Sequence, residues 1–270
     1  MVESPYLVKP GHKVNLSKMP TGEAGPFKDK EEAKGPTGEN LAKLSKLQEV
    51  LYAQGKHALL VILQAMDAGG KDGAIKHVFS GVNPQGCSVT SFKAPSAEEL
   101  AHDFLWRVHA HVPAKGMIGI FNRSQYEDVL AVRVRNIVPK SVWSRRYESI
   151  NCFEKTLAEE GVTVLKFFLH ISPAEQKQRL QKRIDNPKKR WKFNPGDLDD
   201  RNLWGKFTEA YEDVLEKCST EYAPWYVVPA DHKWFRNWVI SDTIVRTMQG
   251  MGLEFPKPAE GIEGMVVEDV

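Results

Sequence analysis

The feature that most constrains the fold is a continuous apolar run at residues 58–63, followed closely by a glycine-rich turn. A strand that is apolar at every position is buried on both faces, which is typical of a parallel sheet covered by helices. Parallel strands cannot be joined by tight hairpins, so a longer crossover segment, usually a helix, must connect them. This run therefore predicts a central strand of an α/β domain.

Strand and helix patterns alternate along the rest of the chain. Other short segments typical of strands lie at residues 88–92, 116–121, 163–171 and 225–230. Helical patterns occur at residues 39–54, 74–82, 96–112, 142–160, 198–218 and 232–251, and another helix starts at Ser172. Strands that alternate with helices at this spacing form βαβ units. The sequence thus predicts a five-stranded parallel sheet with helices on both faces.

The chain divides into one large region and two terminal segments. Residues 1–38 are rich in Lys, Gly, Pro and Glu without a sustained period, so we expect an extended arm. Residues 39–255 contain the predicted strands without a linker or internal repeat, which indicates one domain, and residues 256–270 form a tail. A chain of 270 residues that is 41% hydrophobic can bury one substantial core.

The overall composition limits the classes of protein. The 37 Lys and Arg nearly balance the 35 Asp and Glu, so a site for a polyanion must come from local clustering, and we expect no nucleic-acid binding. Three scattered cysteines, Cys87, Cys152 and Cys218, form no CxxC pair, which argues against a disulfide framework or a structural zinc site. No signal peptide or membrane span is recognisable, so we expect a cytoplasmic protein with no membrane contact.

Residues 65–73, here named the glycine loop, lie between a predicted buried strand and a helix, which is the context of a phosphate-binding loop. Lys71 can carry its charge to a transferring phosphoryl group. A standard Walker A loop has Gly at position 65 and Ser or Thr at 72, whereas this chain has Ala65 and Asp72. Asp67 is then the natural carboxylate to replace the missing metal-binding hydroxyl. The predicted phosphate-binding residues are Ala68, Gly69, Gly70, Asp72 and Gly73.

The alternative for the glycine loop is purely structural. Its glycines would make a tight connection between strand and helix, and Lys71 would be a solvated residue at the helix start.

Polar residues follow the third predicted strand at residues 122–128, here named the Arg123 loop. Open α/β sheets bind ligands at the carboxyl ends of their strands. Arg123 could clamp phosphate oxygens, and Glu127 or Asp128 could hold Mg²⁺, which prefers oxygen ligands. The alternative is a helix start with acidic residues that are favoured by the helix dipole and paired with the arginine.

A cluster of positive charge occupies residues 186–197, here named the basic segment, and Arg183 precedes it. Its candidate phosphate-binding residues are Lys188, Lys189 and Arg190. A run of charge is usually a solvated surface, but Trp191 and Phe193 offer contacts that such a surface does not need. We therefore favour a lid that closes over phosphates.

Seven motifs together resemble the family-2 polyphosphate kinases, in order and over nearly the whole chain. The motifs are QAMDAGGKDG, TSFKAPSAEEL, FLWRVH, FNRSQYEDVL, FFLHISPAEQKQRL, NPKKRWKFNPGDL and APWYVVPA. The resemblance implies a thymidylate-kinase-like P-loop kinase fold with a lid at about residues 183–200, dependence on Mg²⁺ and a basic channel for polyphosphate. It assigns catalytic roles to Asp67, Lys71, Arg123 and Arg183, metal binding to Asp67 with Glu127 or Asp128, and phosphate contacts to the lid residues Lys188 and Lys189.

Two further cations, Lys93 and Arg107, lie in these motifs, and we expect them to bind phosphate or nucleotide. The chain is most similar to the class III members of the family, which phosphorylate both AMP and ADP. Members restricted to diphosphates read DRSWYNR where this chain has residues 122–128. The expected activity is Mg²⁺-dependent, reversible phosphoryl transfer from polyphosphate to AMP and ADP.

Two rival functions stay open at this point, namely an ATP-dependent nucleoside monophosphate kinase and a non-catalytic protein that binds polyphosphate or nucleotide. The expected partners are polyphosphate and adenine nucleotides, with guanine nucleotides left open. We also expect a homo-oligomer.

Overall fold

The computed structural model describes residues 2–262 and 264–267. Within them, five strands form one parallel sheet in the order β2-β3-β1-β4-β5. The strands are β1 (Ala58–Ala65), β2 (Cys87–Ser91), β3 (Ile118–Asn122), β4 (Val162–His170) and β5 (Trp225–Pro229). All residues of β1 are buried, because β1 lies in the centre of the sheet and is covered on both faces. The predicted five-stranded parallel sheet is confirmed.

Ten α-helices surround the sheet in the described part of the chain. They are α1 (Lys30–Gln54), α2 (Lys71–Val78), α3 (Ala97–Ala101), α4 (Trp106–His109), α5 (Ala131–Val134), α6 (Lys140–Glu159), α7 (Pro173–Asp185), α8 (Gly196–Asn202), α9 (Trp204–Cys218) and α10 (Lys233–Gln249). One hydrophobic cluster joins the sheet to α1, α2 and α10, and the other joins it to α4, α6 and α9. Helices therefore cover both faces, as predicted.

The first helix begins at Lys30 instead of near residue 39, where the leucine period starts. Asp29 caps it, since its Oδ1 accepts hydrogen bonds from the backbone N–H of Glu31 at 2.8 Å and of Glu32 at 3.1 Å. Pro36 lies inside the helix. A proline and neighbouring glycines normally disfavour a helix, so the first turns of α1 show no helical pattern in the sequence.

The segment before α1 is docked on the sheet and is not a free arm. Tyr6, Val8 and Leu16 are buried. The backbone N–H of Val8 donates to the carbonyl of Trp225 at 2.9 Å, so this segment extends hydrogen bonding beyond the edge strand β5. The expectation of an unpacked arm fails here because an edge strand offers backbone groups that need partners.

Two predicted helices are each divided in the structure. The helix predicted at residues 96–112 is interrupted between α3 and α4, where Asp103 Oδ1 accepts a hydrogen bond from the backbone N–H of Leu105 at 2.9 Å. Such a local side-chain contact competes with helical hydrogen bonding. The helix predicted at residues 198–218 comprises α8 and α9, which part at Leu203.

The chain ends of the predicted arm and tail are described in part. Residue 1 of the arm and residues 263 and 268–270 of the tail lie outside the described residues. No helix in the described ranges has both the length and the apolar character that a bilayer crossing requires.

Candidate active site

The glycine loop and the Arg123 loop leave the carboxyl ends of two neighbouring strands. Leu63 of β1 is paired with Asn122 of β3, and the backbone N–H of Arg123 donates to the Leu63 carbonyl at 3.1 Å. The sheet therefore brings together two loops whose first residues, 65 and 122, lie 57 positions apart in sequence. This edge of the sheet is where α/β proteins bind their ligands.

The backbone of the glycine loop turns sharply before α2. Ala68 has φ 58°, a left-handed conformation that is unfavourable for a residue with a side chain, and Gly70 has φ 97°. A Cβ atom at Gly69 would lie 2.4 Å from Ala65 Cβ, and one at Gly70 would lie 2.3 Å from Arg236 Nη1. The loop leads directly into the N-terminus of α2, whose first N–H groups have no partner within the helix and attract anions.

Lys71, the first residue of α2, is buried under this loop. Its Nζ donates a hydrogen bond to the Ala65 carbonyl at 3.1 Å. Burial lowers the pKa of Lys71 to about 8, and the positive charge of Arg123 acts in the same direction. A lysine with a lowered pKa in a cavity is a common feature of functional sites.

The Arg123 guanidinium lies between two carboxylates. Its Nη2 donates to Asp67 Oδ1 at 2.9 Å, and its Nη1 lies 3.5 Å from Glu127 Oε2. The negative charge of Glu127 raises the pKa of Arg123 above its usual value; burial opposes this increase, and the charge of Asp67 adds to it. The backbone of Arg123 has φ 64°. Like Ala68, Arg123 is a non-glycine residue in the left-handed conformation. Residues held in such conformations cluster at functional sites.

Asp128 points to a different partner. Its Oδ1 accepts a hydrogen bond from Arg146 Nη1 at 2.9 Å. Burial raises the pKa of Asp128 to about 6, although Arg146 opposes the increase. Within the described ranges no group of three or more His, Cys, Asp or Glu residues could hold a metal ion. The three predicted metal ligands, Asp67, Glu127 and Asp128, therefore do not form one cluster.

The glycine loop forms the floor of a cavity of about 630 Å³, here named the cationic cavity. Its lining includes ten Lys and Arg residues against three Asp residues. Eleven of the predicted site residues line it: Asp67, Ala68, Gly69, Gly70, Lys71, Asp72, Gly73, Lys93, Arg123, Arg183 and Lys189.

Five lining cations were not predicted as site residues, namely Arg179, Lys182, Lys192, Lys233 and Arg236. Arg179 Nη1 donates to the carbonyls of Ala68 at 3.1 Å and Gly69 at 3.0 Å. Arg236 Nη1 donates to the Gly70 carbonyl at 3.1 Å, and burial together with Arg179 lowers the pKa of Arg236 to about 10. Both arginines therefore hold the glycine loop through its carbonyl oxygens.

One sequence signal could have revealed Lys233 and Arg236. Both lie at the start of α10, shortly after β5, and they are three positions apart, on one helix face. Their position at the carboxyl end of a parallel strand matches that of the glycine loop.

A second cavity of about 700 Å³, here named the apolar cavity, lies on the other side of Arg123. Its five Lys and Arg residues are nearly balanced by four Asp and Glu residues. The predicted residues Arg107, Glu127 and Asp128 line this cavity. The apolar part of its lining includes Met66, Leu130, Val132, Ile137, Val138, Trp204, Phe207 and Tyr211.

The two cavities share a wall made of Asp67, Phe92, Lys93 and Arg123. A group transferred between molecules in the two cavities must pass this wall.

The basic segment contributes only part of its charge to the cationic cavity. Lys189 lines the cavity, whereas the predicted residues Lys188 and Arg190 line neither cavity. Arg190 Nε instead donates to the Ile184 carbonyl at 2.8 Å. Arg183 Nη1 lies 3.3 Å from Asp197 Oδ2, which ties the end of α7 to the start of α8.

Comparison with known proteins agrees with this geometry. The model of the family described as polyphosphate kinase 2 matches residues 27–256. A Meiothermus ruber protein named AMP/ADP-polyphosphate phosphotransferase is 54% identical over 267 residues, which cover 97% of this chain and 99% of that protein. A Rhodopseudomonas palustris ADP-polyphosphate phosphotransferase is 46% identical over 264 residues, covering 93% of this chain and 91% of the relative.

A solved structure supports the same assignment. The crystal structure of polyphosphate kinase 2 from Arthrobacter aurescens has a TM-score of 0.90, with 40% sequence identity and 97% of each chain covered. This likeness confirms the predicted P-loop kinase fold. From the match of the family model and the identity to these relatives, the chain belongs to the polyphosphate kinase 2 family.

Proposed function

We propose that this protein transfers the terminal phosphoryl group of inorganic polyphosphate to AMP and ADP, giving ADP and ATP in a reversible reaction. One observation carries the proposal: a strongly cationic cavity and a larger apolar cavity meet at a wall that contains Asp67, Lys93 and Arg123. The printed names of the relatives, which include both AMP and ADP as acceptors, support the same activity.

The cationic cavity suits the polyphosphate chain. Ten cations against three carboxylates leave a large excess of positive charge, which only a polyanion would balance. Lys71 and the backbone amides at the start of α2 would bind a phosphate at one end of this cavity.

The apolar cavity suits a nucleotide. Aromatic residues such as Trp204, Phe207 and Tyr211 can contact a base, while Arg107 and Arg135 can contact phosphate oxygens. Its nearly balanced charge explains why it would accept a small nucleotide rather than a long polyanion.

The chemical step needs no nucleophile from the protein. A terminal phosphate oxygen of the nucleotide forms a bond to the end phosphorus of polyphosphate, and the bond from that phosphorus to the next bridging oxygen breaks. The shortened polyphosphate leaves with the bonding electrons. In our proposal Arg123 and Lys71 position the reactants and balance the charge on the transferred oxygens, which is the main source of catalysis in phosphoryl transfer.

The residues present fit a divalent cation, and we propose Mg²⁺. Asp67 and Glu127 both face the Arg123 guanidinium, so their carboxylates already hold a positive group between them. Mg²⁺ commonly takes one or two carboxylates and fills its other positions with water and substrate phosphates, so a three-carboxylate cluster is unnecessary. When bound, the metal would neutralise phosphate oxygens. Because Asp128 is paired with Arg146, we favour Glu127 as the second ligand.

Residues 183–200 are proposed as a lid over the cationic cavity. Arg183, Lys189, Trp191, Lys192 and Asp197 from this stretch line the cavity, which supports that role. The homo-oligomer, the use of guanine nucleotides and the cytoplasmic location stay predictions.

The decisive experiment supplies AMP, Mg²⁺ and either polyphosphate or ATP as the donor. We expect ADP and then ATP to accumulate when polyphosphate is the only donor. ADP formed from ATP but never from polyphosphate would assign the protein as an ATP-dependent nucleoside monophosphate kinase. Binding of both ligands without turnover would indicate a non-catalytic protein.

A further inference from the structure

A fully buried charged network lies directly behind the Arg123 loop. Glu154 of α6 and Lys166 of β4 have 0% exposed side chains and form an ion pair. Gln125 and Tyr126 of the Arg123 loop are also buried and contact this pair. None of these four side chains lines either cavity, so they do not contact the proposed substrates.

The hydrogen bonds connect the network to the loop. Glu154 Oε1 accepts hydrogen bonds from Gln125 Nε2 at 2.9 Å and from Tyr126 Oη at 2.8 Å. Lys166 Nζ donates to Glu154 Oε2, to Tyr126 Oη at 2.8 Å and to the Cys218 carbonyl at 2.7 Å. Glu154 therefore joins two consecutive loop residues to a strand in the middle of the domain.

Stability alone is a weak reason for such a pair. Removing two charges from water is costly, and well-packed apolar residues often serve a core equally well. Burial raises the pKa of Glu154 and raises the pKa of Tyr126 well above its usual value, which reflects how poorly this region solvates charge. A buried ion pair can instead serve to fix a single conformation of the segments that it joins.

The conformation that needs specifying is that of Arg123. Its left-handed backbone, with φ 64°, is unfavourable for a residue with a side chain and persists only where its surroundings determine it. Ser124, the next residue, is buried, and its Oγ accepts a hydrogen bond from Gln64 Nε2 at 3.3 Å. Gln125 and Tyr126 then bind Glu154. The residues after Arg123 are thus held from behind, while Arg123 and Glu127 face the cavities.

We infer that Glu154 and Lys166 are positioning residues that hold the Arg123 loop in its active conformation. The inference rests on the roles proposed above for Arg123 and Glu127, through which both residues would act. Phosphoryl transfer depends on placement of the reacting groups, so a small shift of this loop should lower kcat. The donor-binding surface of the glycine loop, α7 and α10 should be unaffected.

The test compares Glu154→Gln with the wild type. The amide cannot present acceptors both to the loop and to the Lys166 ammonium. We expect kcat to fall about 10-fold with the KM for polyphosphate within about 2-fold of wild type. In the double variant Glu154→Gln with Lys166→Met, the amide oxygen can face the loop again, and we expect kcat to recover to within about 3-fold. Loss of kcat without this recovery would contradict a positioning role for the pair.

A matched control separates positioning from stability. Leu157→Ala changes a buried apolar residue one turn along α6 and should lower Tm while it leaves kcat unchanged at temperatures well below Tm. A similar loss of kcat in both variants at equal loss of Tm would overturn the inference, as would full kcat in Glu154→Gln. If Glu154→Gln does not fold, Tyr126→Phe removes one hydroxyl, and unchanged kcat in that variant would overturn it too.

Coupling to Arg123 provides the last test. In an Arg123→Ala background, Glu154→Gln should lower kcat by clearly less than the factor seen in the wild type, because one of the two residues through which it acts is already gone. Full additivity would overturn the inference. Normal activity of Arg123→Ala itself would instead contradict the proposed function, so the two failures can be told apart.

Discussion

The cationic cavity and the apolar cavity share a wall but are built in different ways. The cationic cavity rests on a single continuous loop, residues 67–73, with cations from α7, the basic segment and α10 arranged around it. The apolar cavity has no such loop and combines side chains from segments between residues 65 and 211. Backbone amides and a charge excess define the first, whereas side-chain shape and apolar surface define the second.

This difference indicates how each substrate would be selected. A polyphosphate chain offers only repeated anionic groups, so charge and loop amides can recognise it without a shaped pocket. A nucleotide offers a flat base, for which an enclosed apolar pocket is needed. Variants in the shared wall should therefore impair the chemical step, while variants in one cavity should affect one substrate.

The largest effect is expected from Asp67→Ala in the shared wall. The change removes a proposed metal ligand and leaves Arg123 without its 2.9 Å partner, so kcat should fall about 10²-fold or more. Steady-state rates at saturating AMP and polyphosphate measure the effect, and Tm verifies folding. Glu49→Ala, at an exposed carboxylate of α1 that lines neither cavity, is the control and should retain activity. A folded Asp67→Ala enzyme with near-normal kcat would remove Asp67 from the mechanism.

The next effect concerns pH and tests the cationic cavity. Burial lowers the pKa of Lys71 to about 8, so the side chain is charged below that pH and becomes neutral above it. Because the charged form attracts phosphate, kcat/KM for polyphosphate should be constant below pH 8 and fall about 10-fold per pH unit above it.

Lys71→Arg provides the comparison for this pH profile, since an arginine stays charged. The decline of kcat/KM for polyphosphate in this variant should move to a higher pH, even if its absolute rate is lower. A profile without a decline near pH 8 in the wild type would show that Lys71 is not the titrating group.

Two double variants test which cations of the basic segment belong to the cationic cavity. Lys189 and Lys192 line it, whereas Lys188 and Arg190 do not. Replacing the first two by Ala should raise the KM for polyphosphate about 10-fold and make its dependence on salt shallower, by analogy with counterion release on nucleic acids. Replacing the other two should change the KM less than about 2-fold, because isolated exposed charges contribute little. Equal effects of both pairs would identify the segment as a general electrostatic surface.

The smallest expected effect tests the apolar cavity. Ile137 lines it and is a 64% exposed residue, so truncation of its side chain should not disturb the core. Ile137→Ala should raise the KM for AMP about 3-fold, the effect of losing modest apolar contact, with the KM for polyphosphate unchanged. Val89→Ala, at an exposed residue of β2 that lines neither cavity, should change neither KM. A change in the KM for polyphosphate alone would reverse the assignment of the cavities.

The predictable parts of the site are those set by neighbours in sequence. The glycine loop could be located because an apolar run, glycines and Lys71 are adjacent in the chain. Which side chains of the basic segment face the cavity could not be predicted, because Lys188, Lys189 and Arg190 are consecutive basic residues that the sequence does not distinguish. Only the turn at residues 187–192 and the contact of Arg190 with α7 distinguish them.

The sequence by itself determined the order of strands and helices along the chain, the parallel sheet and the two loops at its carboxyl edge. Apolar periodicity and turn residues are local, so they can be recognised without knowing which segments meet. Tertiary structure alone decided that Arg179 and Arg236 support the glycine loop, that Asp128 pairs with Arg146, and that Glu154 lies behind Arg123. These contacts join segments separated by up to 166 residues, and their existence depends on how the helices pack on the sheet.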